Sequence, residues 1–277
     1  MKYLEVVNQN YHLQGFTTDG EHMYWSFTDT LVKTTMEGTV RVQVPVATRW
    51  EHLGGIDYHN GRIYAAGMAR NPAWSSIHIY DAATLAVVDI IPLRNIVNDM
   101  NRGVDDNNGA GCITVGTDPA TGEDILLVGC ATKPKSTFEG QIVMQYDLKG
   151  NLQRKHIVPT GCTNLGIQNI DCDPDTGYYW MTAYGKGDEQ HARETLYCVS
   201  QDLTTVLASY ILPSSYGLHC CGGDRFYLSA QYGRHPRCCG CAYEVDMDYI
   251  QETAALEMEE GKILSFIRPL FDSEMGL

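Results

Sequence analysis

Gly54-Gly55-Ile56-Asp57-Tyr58-His59-Asn60-Gly61-Arg62-Ile63-Tyr64-Ala65 is the stretch that decides the fold. A glycine pair opens a short apolar run, Asn60-Gly61 reverses the chain, and a second apolar run returns. Asn-Gly between apolar runs is the strongest short-range hairpin signal, because both central positions of the favoured turn need positive φ.

The layout recurs four times. The first runs open at Gln14-Gly15-Phe16-Thr17, Ala110-Gly111-Cys112-Ile113, Leu165-Gly166-Ile167-Gln168-Asn169-Ile170-Asp171 and Tyr216-Gly217-Leu218-His219. Turns follow at Asp19-Gly20, Asp118 to Gly122, Asp173 to Gly177 and Gly222-Gly223-Asp224, and second runs at His22 to Trp25, Ile125 to Val128, Tyr178 to Met181 and Arg225 to Leu228. Third runs fall at Leu31 to Met36, Ile77 to Asp81, Ile142 to Asp147, Leu196 to Ser200 and Ala242 to Asp246. Fourth runs fall at 40–44, 86–90, 152–157 and 205–210, and Pro45, Pro92, Pro159 and Pro213 come after them, where proline ends a strand without losing a ladder bond.

Four antiparallel strands per repeat make a propeller blade. The glycine anchors at 15, 55, 111, 166 and 217 are 40, 56, 55 and 51 residues apart, close to the usual length of a blade repeat. The expected fold is therefore all-β: one β-propeller domain over residues 1–277, with five blades of four strands. Glu252 to Glu260 reads as a short helix. Ring closure falls either to Ile263-Leu264-Ser265-Phe266 or to Tyr3-Leu4-Glu5-Val6-Val7.

Composition narrows the function classes. The 277 residues carry a formal net charge of −14, which repels phosphate backbones and anionic lipid, so neither nucleic acid nor membrane is an expected partner. No apolar run is long enough to span a bilayer, and the start Met1-Lys2-Tyr3-Leu4-Glu5 lacks an apolar leader core. The expectation is a cytoplasmic protein, or an exported one whose leader has been removed. Ten cysteines read mainly as reduced, strand-borne apolar residues. His235-Pro236-Arg237-Cys238-Cys239-Gly240-Cys241 offers zinc-type ligands at the wrong spacing. Asp99, Asp105 and Asp106 do not match a calcium loop. No metal and no cofactor is expected.

In a propeller the first strand of each blade lines the channel, so residues beside the five anchors converge. The expected ligand-binding set is Gln14, Glu51, His52, Asp57, Asn107, Asn108, Asn164, Gln168, Tyr216 and His219. Such a mixture of amides, imidazoles and carboxylates suits a small polar ligand or a glycan. For catalysis the candidates are His52, paired with Glu51 or Asp57, and His219, since imidazole titrates near neutrality and a carboxylate tunes it. The alternative to a ligand site is a channel whose polar groups satisfy one another and water.

The segments from Gln14 to Lys33 and Leu165-Gly166-Ile167-Gln168 with Tyr184-Gly185 resemble a group of uncharacterised bacterial five-bladed propeller proteins. Gln14-Gly15 and the blade count are also similar to the plant-type glutaminyl cyclotransferases. That resemblance implies a Glu before Ser-Thr on the second strand, whereas Trp25 stands before Ser26 here. Three functions are carried forward: polar-ligand or carbohydrate binding, a glycan-active hydrolase or lyase or cyclotransferase-like enzyme, and a protein interaction scaffold that works through exposed rims.

Overall fold

A computed structural model describes residues 2–5, 11–46, 51–69, 74–97, 109–132, 138–163, 165–184, 194–212, 216–234 and 237–260. Strand β1 (Lys2–Glu5) precedes blade one, which is β2 (Leu13–Thr18), β3 (His22–Phe27), β4 (Thr30–Thr35) and β5 (Val40–Pro45). Blade two is β6 (Glu51–His59), β7 (Arg62–Ala69), β8 (Trp74–Asp81) and β9 (Val87–Val97). Blade three is β10 (Ala110–Thr117), β11 (Asp124–Cys130), β12 (Gln141–Asp147) and β13 (Leu152–Val158). Blade four is β14 (Ile167–Cys172), β15 (Tyr179–Ala183), β16 (Thr195–Val199) and β17 (Val206–Ile211). Blade five holds β18 (Leu218–Gly222), β19 (Arg225–Arg234) and β20 (Arg237–Asp246), followed by helix α1 (Met247–Glu260).

The five sheets are antiparallel meanders of four strands, and the fifth settles how the ring closes. Its order is β1-β20-β19-β18, with Lys2 opposite Glu244 and Glu5 opposite Cys241. The N-terminal strand thus supplies the outer strand of the last blade, tying the two ends of the chain together. Residues 261–277, which include the other closure candidate, lie outside the described residues. Helix α1 begins earlier than Glu252, capped by Asp246, whose Oδ1 accepts from Tyr249 N at 2.9 Å. Strand β9 also runs past Pro92, which pairs with Ser76; as the outer strand of its sheet it leaves one edge free, where a missing N–H costs nothing.

The hairpin chemistry follows the sequence. Asn60 and Gly61 have φ of 47° and 75°, as the two-residue turn between β6 and β7 requires. The core is divided into five wedges, each between neighbouring blades. Leu13, Phe16 and Trp25 of blade one, for example, form one wedge with Ala242 of blade five, and Tyr64, Ile77, Ile113 and Leu126 form the wedge between blades two and three. Each fully buried large side chain of this kind contributes about 1.5–3 kcal/mol, and the phase of burial along each strand turns its apolar face to the next blade.

The inner strands meet at the axis more closely than a channel-lined ring implies. A Cβ on Gly55 would lie 2.7 Å from the Cys112 Cβ and 2.9 Å from Asn169 Oδ1, and one on Gly15 would lie 2.8 Å from the Gly55 Cα. Gly15, Gly55, Cys112 and Asn169 therefore form a packed layer across the hub, with Asn169 of blade four reaching blades one and two. In blades three and four the hub residue is Cys112 and Asn169, so the anchors Gly111 and Gly166 need correction. A register shift inserts Gly111 between Ala110 and Cys112, and Gln168 between Ile167 and Asn169. Gly166 lies farther out and pairs with Ala131 of blade three.

Candidate functional site

Two residues beyond the hub layer, each inner strand presents one polar side chain at an equivalent position. These are Thr17, Asp57, Thr114, Asp171 and His219, opposite Tyr24, Tyr64, Leu127, Trp180 and Tyr227 on the second strands. Strand alternation turns all five the same way, toward the axis. Their hydrogen bonds run from blade to blade around the ring. Thr17 Oγ1 accepts from Tyr58 N at 3.2 Å, Asp57 Oδ2 from Val115 N at 2.8 Å, and Asp171 Oδ2 from Cys220 N at 2.6 Å. Thr114 Oγ1 donates to Asp57 Oδ2 at 3.0 Å, and its hydroxyl is 3.5 Å from Asp171 Oδ1. His219 Nδ1 lies 3.3 Å from Asp171 Oδ2 and 3.4 Å from Thr17 Oγ1.

Asp57 and Asp171 are each 6 % exposed. Together with His219, each offers a ligand-type atom, and the three atoms lie within 4.8 Å of one another. Two carboxylates in so small a buried volume cannot both ionise without cost. Burial and then the charge of Asp171 push the Asp57 carboxyl up to about 7, against the pull of the Val115 amide, His219 and Thr114. Burial works to lower the His219 imidazole, but the fields of Asp171 and Asp57 and the hydrogen bond to Asp171 leave it raised above its ordinary value. Asp57 and His219 therefore both keep a proton to higher pH than they would in water.

Above the trio opens a pocket of about 620 Å³. It lies at the mouth framed by the turns that join first to second strands, with Asp19 and Gly20, His59, Thr117 and Asp124, Pro174, and Cys221 and Arg225 on its wall. Among the described residues five carboxylates line it, Asp19, Asp57, Asp124, Asp171 and Glu244, against the single guanidinium of Arg225. At the rim, His59 Nε2 meets Asp124 Oδ2 at 3.0 Å and ties blade two to blade three. Arg225 pairs with Glu244 at 3.3 Å. Cys172, Cys220 and Cys221 also face this space. Burial pushes the Cys172 thiol up to about 12 and Cys221 up to about 11, so these are neutral thiols rather than nucleophiles. All ten cysteines are free thiols.

The residues expected from the sequence divide between the two ends of the ring. Asp57 and His219 stand together at the pocket floor. Gln14 and His52 stand at the start of their strands, on the far side of the hub layer. There Gln14 Nε2 lies 2.7 Å from His12 Nδ1, and the His12 and His52 rings are 5.9 Å apart. Gln168 occupies the same strand position as Gln14 and donates to Leu165 O at 3.4 Å. Tyr216 packs edge-on against Tyr184 at the same end, 5.9 Å between ring centres. Glu51 pairs with Ala69 through the backbone of β6. Asn107, Asn108 and Asn164 lie outside the described residues. The pairing of His52 with Asp57 is not made: five residues of strand separate them, about 15 Å at the usual rise.

Asp171, Thr17 and Thr114 were not among the residues expected from sequence. A signal for Asp171 was present: Asn169-Ile170-Asp171 repeats the pattern of Gly55-Ile56-Asp57. The earlier Gly166-Ile167 repeats Gly55-Ile56 more closely and so hides it. Among the described residues no helix is long and apolar enough to cross a membrane.

No protein-family model matches the chain, and no curated protein does. Its fold is similar to that of several solved structures. The glutaminyl cyclase of Myxococcus xanthus superposes with a TM-score of 0.55 at 13 % identity, over 89 % of this chain and 96 % of that one. An exo-β-1,3-galactanase from Phanerochaete chrysosporium gives 0.54 at 10 % identity, over 87 % of this chain and 61 % of that one. A protein of unknown function from Bacteroides caccae gives 0.51 at 11 % identity, over 86 % and 79 %. At such identities the likeness establishes the propeller architecture and nothing of the chemistry.

Proposed function

We propose that the protein binds a small polar ligand, neutral or cationic, in the pocket at the turn-side mouth, with Asp57, Asp171 and His219 as its buried polar contacts. The observation that carries this reading is the meeting of those three side chains, from three blades, at the floor of a mouth where a cavity of about 620 Å³ opens onto them. The excess of carboxylates on its wall disfavours phosphorylated or carboxylated ligands and suits hydroxyl-rich ones such as a glycan, or an amine.

A second reading, acid–base catalysis on that ligand, is favoured by the Asp57 carboxyl, which burial and Asp171 place near 7. A group poised near the working pH suits a proton-transfer role. Against a cyclotransferase of the plant type stands Trp25, fully buried and donating from Nε1 to Thr34 Oγ1 at 3.1 Å. The place where that resemblance implies an acid is therefore core. Against a scaffold role, the exposed large apolar residues, among them Val87, Val88, Leu152, Ile157 and Leu207, are spread over the outer strands of three blades.

The test is a thermal-shift screen of neutral oligosaccharides, amino sugars and pyroglutamyl peptides, because a ligand that binds only the folded chain must raise its melting temperature. The expected result is a shift with at least one class that is lost in Asp171→Asn. A shift of equal size in wild type and Asp171→Asn, or none with any class, would set the reading aside.

A further inference from the structure

We propose that Asp57, Asp171 and His219 bind a divalent cation of intermediate softness, Zn²⁺ or Mn²⁺, at the floor of the pocket. The inference deepens the ligand-binding reading of that site and rests on it, since such an ion would present its open positions to the pocket.

The ring of equivalent positions shows what the fold alone requires there. Three of these side chains accept an amide from the neighbouring blade, and Thr17 does so with a neutral hydroxyl, taking the Tyr58 N–H at 3.2 Å. Asp57 and Asp171 make the same kind of bond, to Val115 N and Cys220 N, yet each also buries a carboxylate. Burying a carboxylate is costly even when it is paired, so two ionisable groups stand where a hydroxyl suffices. The ring holds one imidazole against two carboxylates and no lysine or arginine.

An independent observation concerns the atoms left over. Asp57 is 6 % exposed, and both its bonds go to Oδ2. Its Oδ1 has no hydrogen-bond partner among the described residues, although it belongs to a buried side chain within the cluster. His219 makes its contacts through Nδ1 alone, which leaves Nε2 without a partner among those residues. Both residues line the pocket, so an ion entering there meets a carboxylate oxygen and an imidazole nitrogen that the fold does not use.

The spacing and the donor types fit the ion class. Ligands about 2.1 Å from a tetrahedral ion lie about 3.4 Å apart, and the trio offers one ligand-type atom per residue with none more than 4.8 Å from another. Two carboxylate oxygens and one imidazole nitrogen suit zinc or manganese, whereas calcium takes oxygen alone. Three protein ligands beneath an open pocket leave positions for water or for the hydroxyls of a bound molecule, the arrangement of an open rather than a closed structural site. The Thr114 and Thr17 hydroxyls, 3.0 Å from Asp57 and 3.4 Å from His219, are placed to orient these ligands.

The experiment uses the full chain, treated with chelator and then titrated with Zn²⁺ or Mn²⁺ by calorimetry, with melting curves in parallel. The expected result is one ion per chain and a raised melting temperature. Asp57→Asn and His219→Gln should each weaken binding by at least the roughly 100-fold that the loss of an outer-shell partner can cost, while Asp89→Asn, exposed on the outer strand of blade two, leaves it unchanged. Cobalt substitution of the wild type gives a readout that does not depend on whether variants fold. Visible bands of an oxygen and nitrogen site support the assignment, and a strong thiolate charge-transfer band places the ion on cysteines and overturns it. Absence of saturable uptake also overturns it. A ligand-induced shift that persists in chelator with no metal uptake removes the metal and leaves the pocket reading standing; loss of both removes the pocket reading too.

Discussion

Gly55→Ala tests whether the hub is packed shut, which is what separates the two ends of the ring. The new Cβ would meet the Cys112 Cβ at 2.7 Å, Asn169 Oδ1 at 2.9 Å and the Gln168 carbonyl at 3.0 Å, where ordinary contacts begin near 3.4 Å. Two of the three belong to backbone or to a Cβ fixed on an inner strand, so relief requires three blades to move outward together. Overpacking in a fixed core costs about 1–3 kcal/mol, and since only Asn169 Oδ1 among the nearest contacts can turn aside, this variant falls toward the upper end, at about 3 kcal/mol. Gly61→Ala is the matched control. It has the same loss of glycine freedom and φ of 75°, but no atom within 4 Å of the new Cβ, so it should cost only about 1 kcal/mol from the left-handed backbone. Urea unfolding of both variants, read as a shift in midpoint at constant slope, measures the difference. If Gly55→Ala costs no more than Gly61→Ala, the hub is open, a continuous channel joins Gln14 and His52 to Asp57 and His219, and the separation of the two ends is wrong.

Asp57→Asn, in chelated protein, should change how stability depends on pH. The unfolded chain releases the Asp57 proton near 3.8 and the folded chain near 7. Its contribution is therefore fully present below 3.8 and declines as pH rises to 7, by at most about 4 kcal/mol for a shift of this size. The variant keeps an acceptor for the Val115 amide and should lose that slope while retaining the later decline set by His219; an unchanged slope between about pH 4 and 7 would show that Asp57 ionises normally. Deleting residues 1–5 removes the four registered pairs that close the ring. At about 0.5 kcal/mol per pair it should lower unfolding stability by about 2 kcal/mol and, by baring the β20 edge, promote association visible in light scattering. A truncated chain of equal stability would mean that β1 does not hold the ring closed.

The hairpins were legible because turn chemistry is local. Asn60-Gly61 and Asp19-Gly20 state their backbone angles in the sequence, and the apolar runs on either side follow from them. Closure by β1 was legible only as one of two choices, since pairing between the ends of a chain leaves no local mark. The hub register in blades three and four was not legible, for a physical reason. A bulge adds one residue to one strand without changing the composition around it, so Gly111 took the place of Cys112, and Gly166 the place of Asn169. An error of one residue exchanges inward for outward along a strand, and an error of three does the same. That is how Gln168 entered the expected site and Asp171 did not. Blade two carried no such error, and there Asp57 was reached correctly from Gly55.

The division of the expected residues follows from one geometric fact, that an inner strand crosses the hub layer partway along its length. Residues before that layer, His12, Gln14 and His52, reach one mouth, and residues after it, Asp57, Asp171 and His219, reach the other, so closeness to a glycine anchor does not say which mouth a side chain serves. Counting from the hub residue does: two positions on, every blade delivers a donor or acceptor to the same depth, and in blades one, two and four the side chain there receives the neighbouring blade's amide. The Thr17 hydroxyl in blade one does this without charge, and the Thr114 hydroxyl in blade three donates to Asp57 instead. Carboxylates in blades two and four, facing an imidazole in blade five, exceed what that bond requires, and they do so at the floor of the pocket. An excess of buried charge over structural need is the physical mark by which this ring of five can be read as a site and not only as a seal.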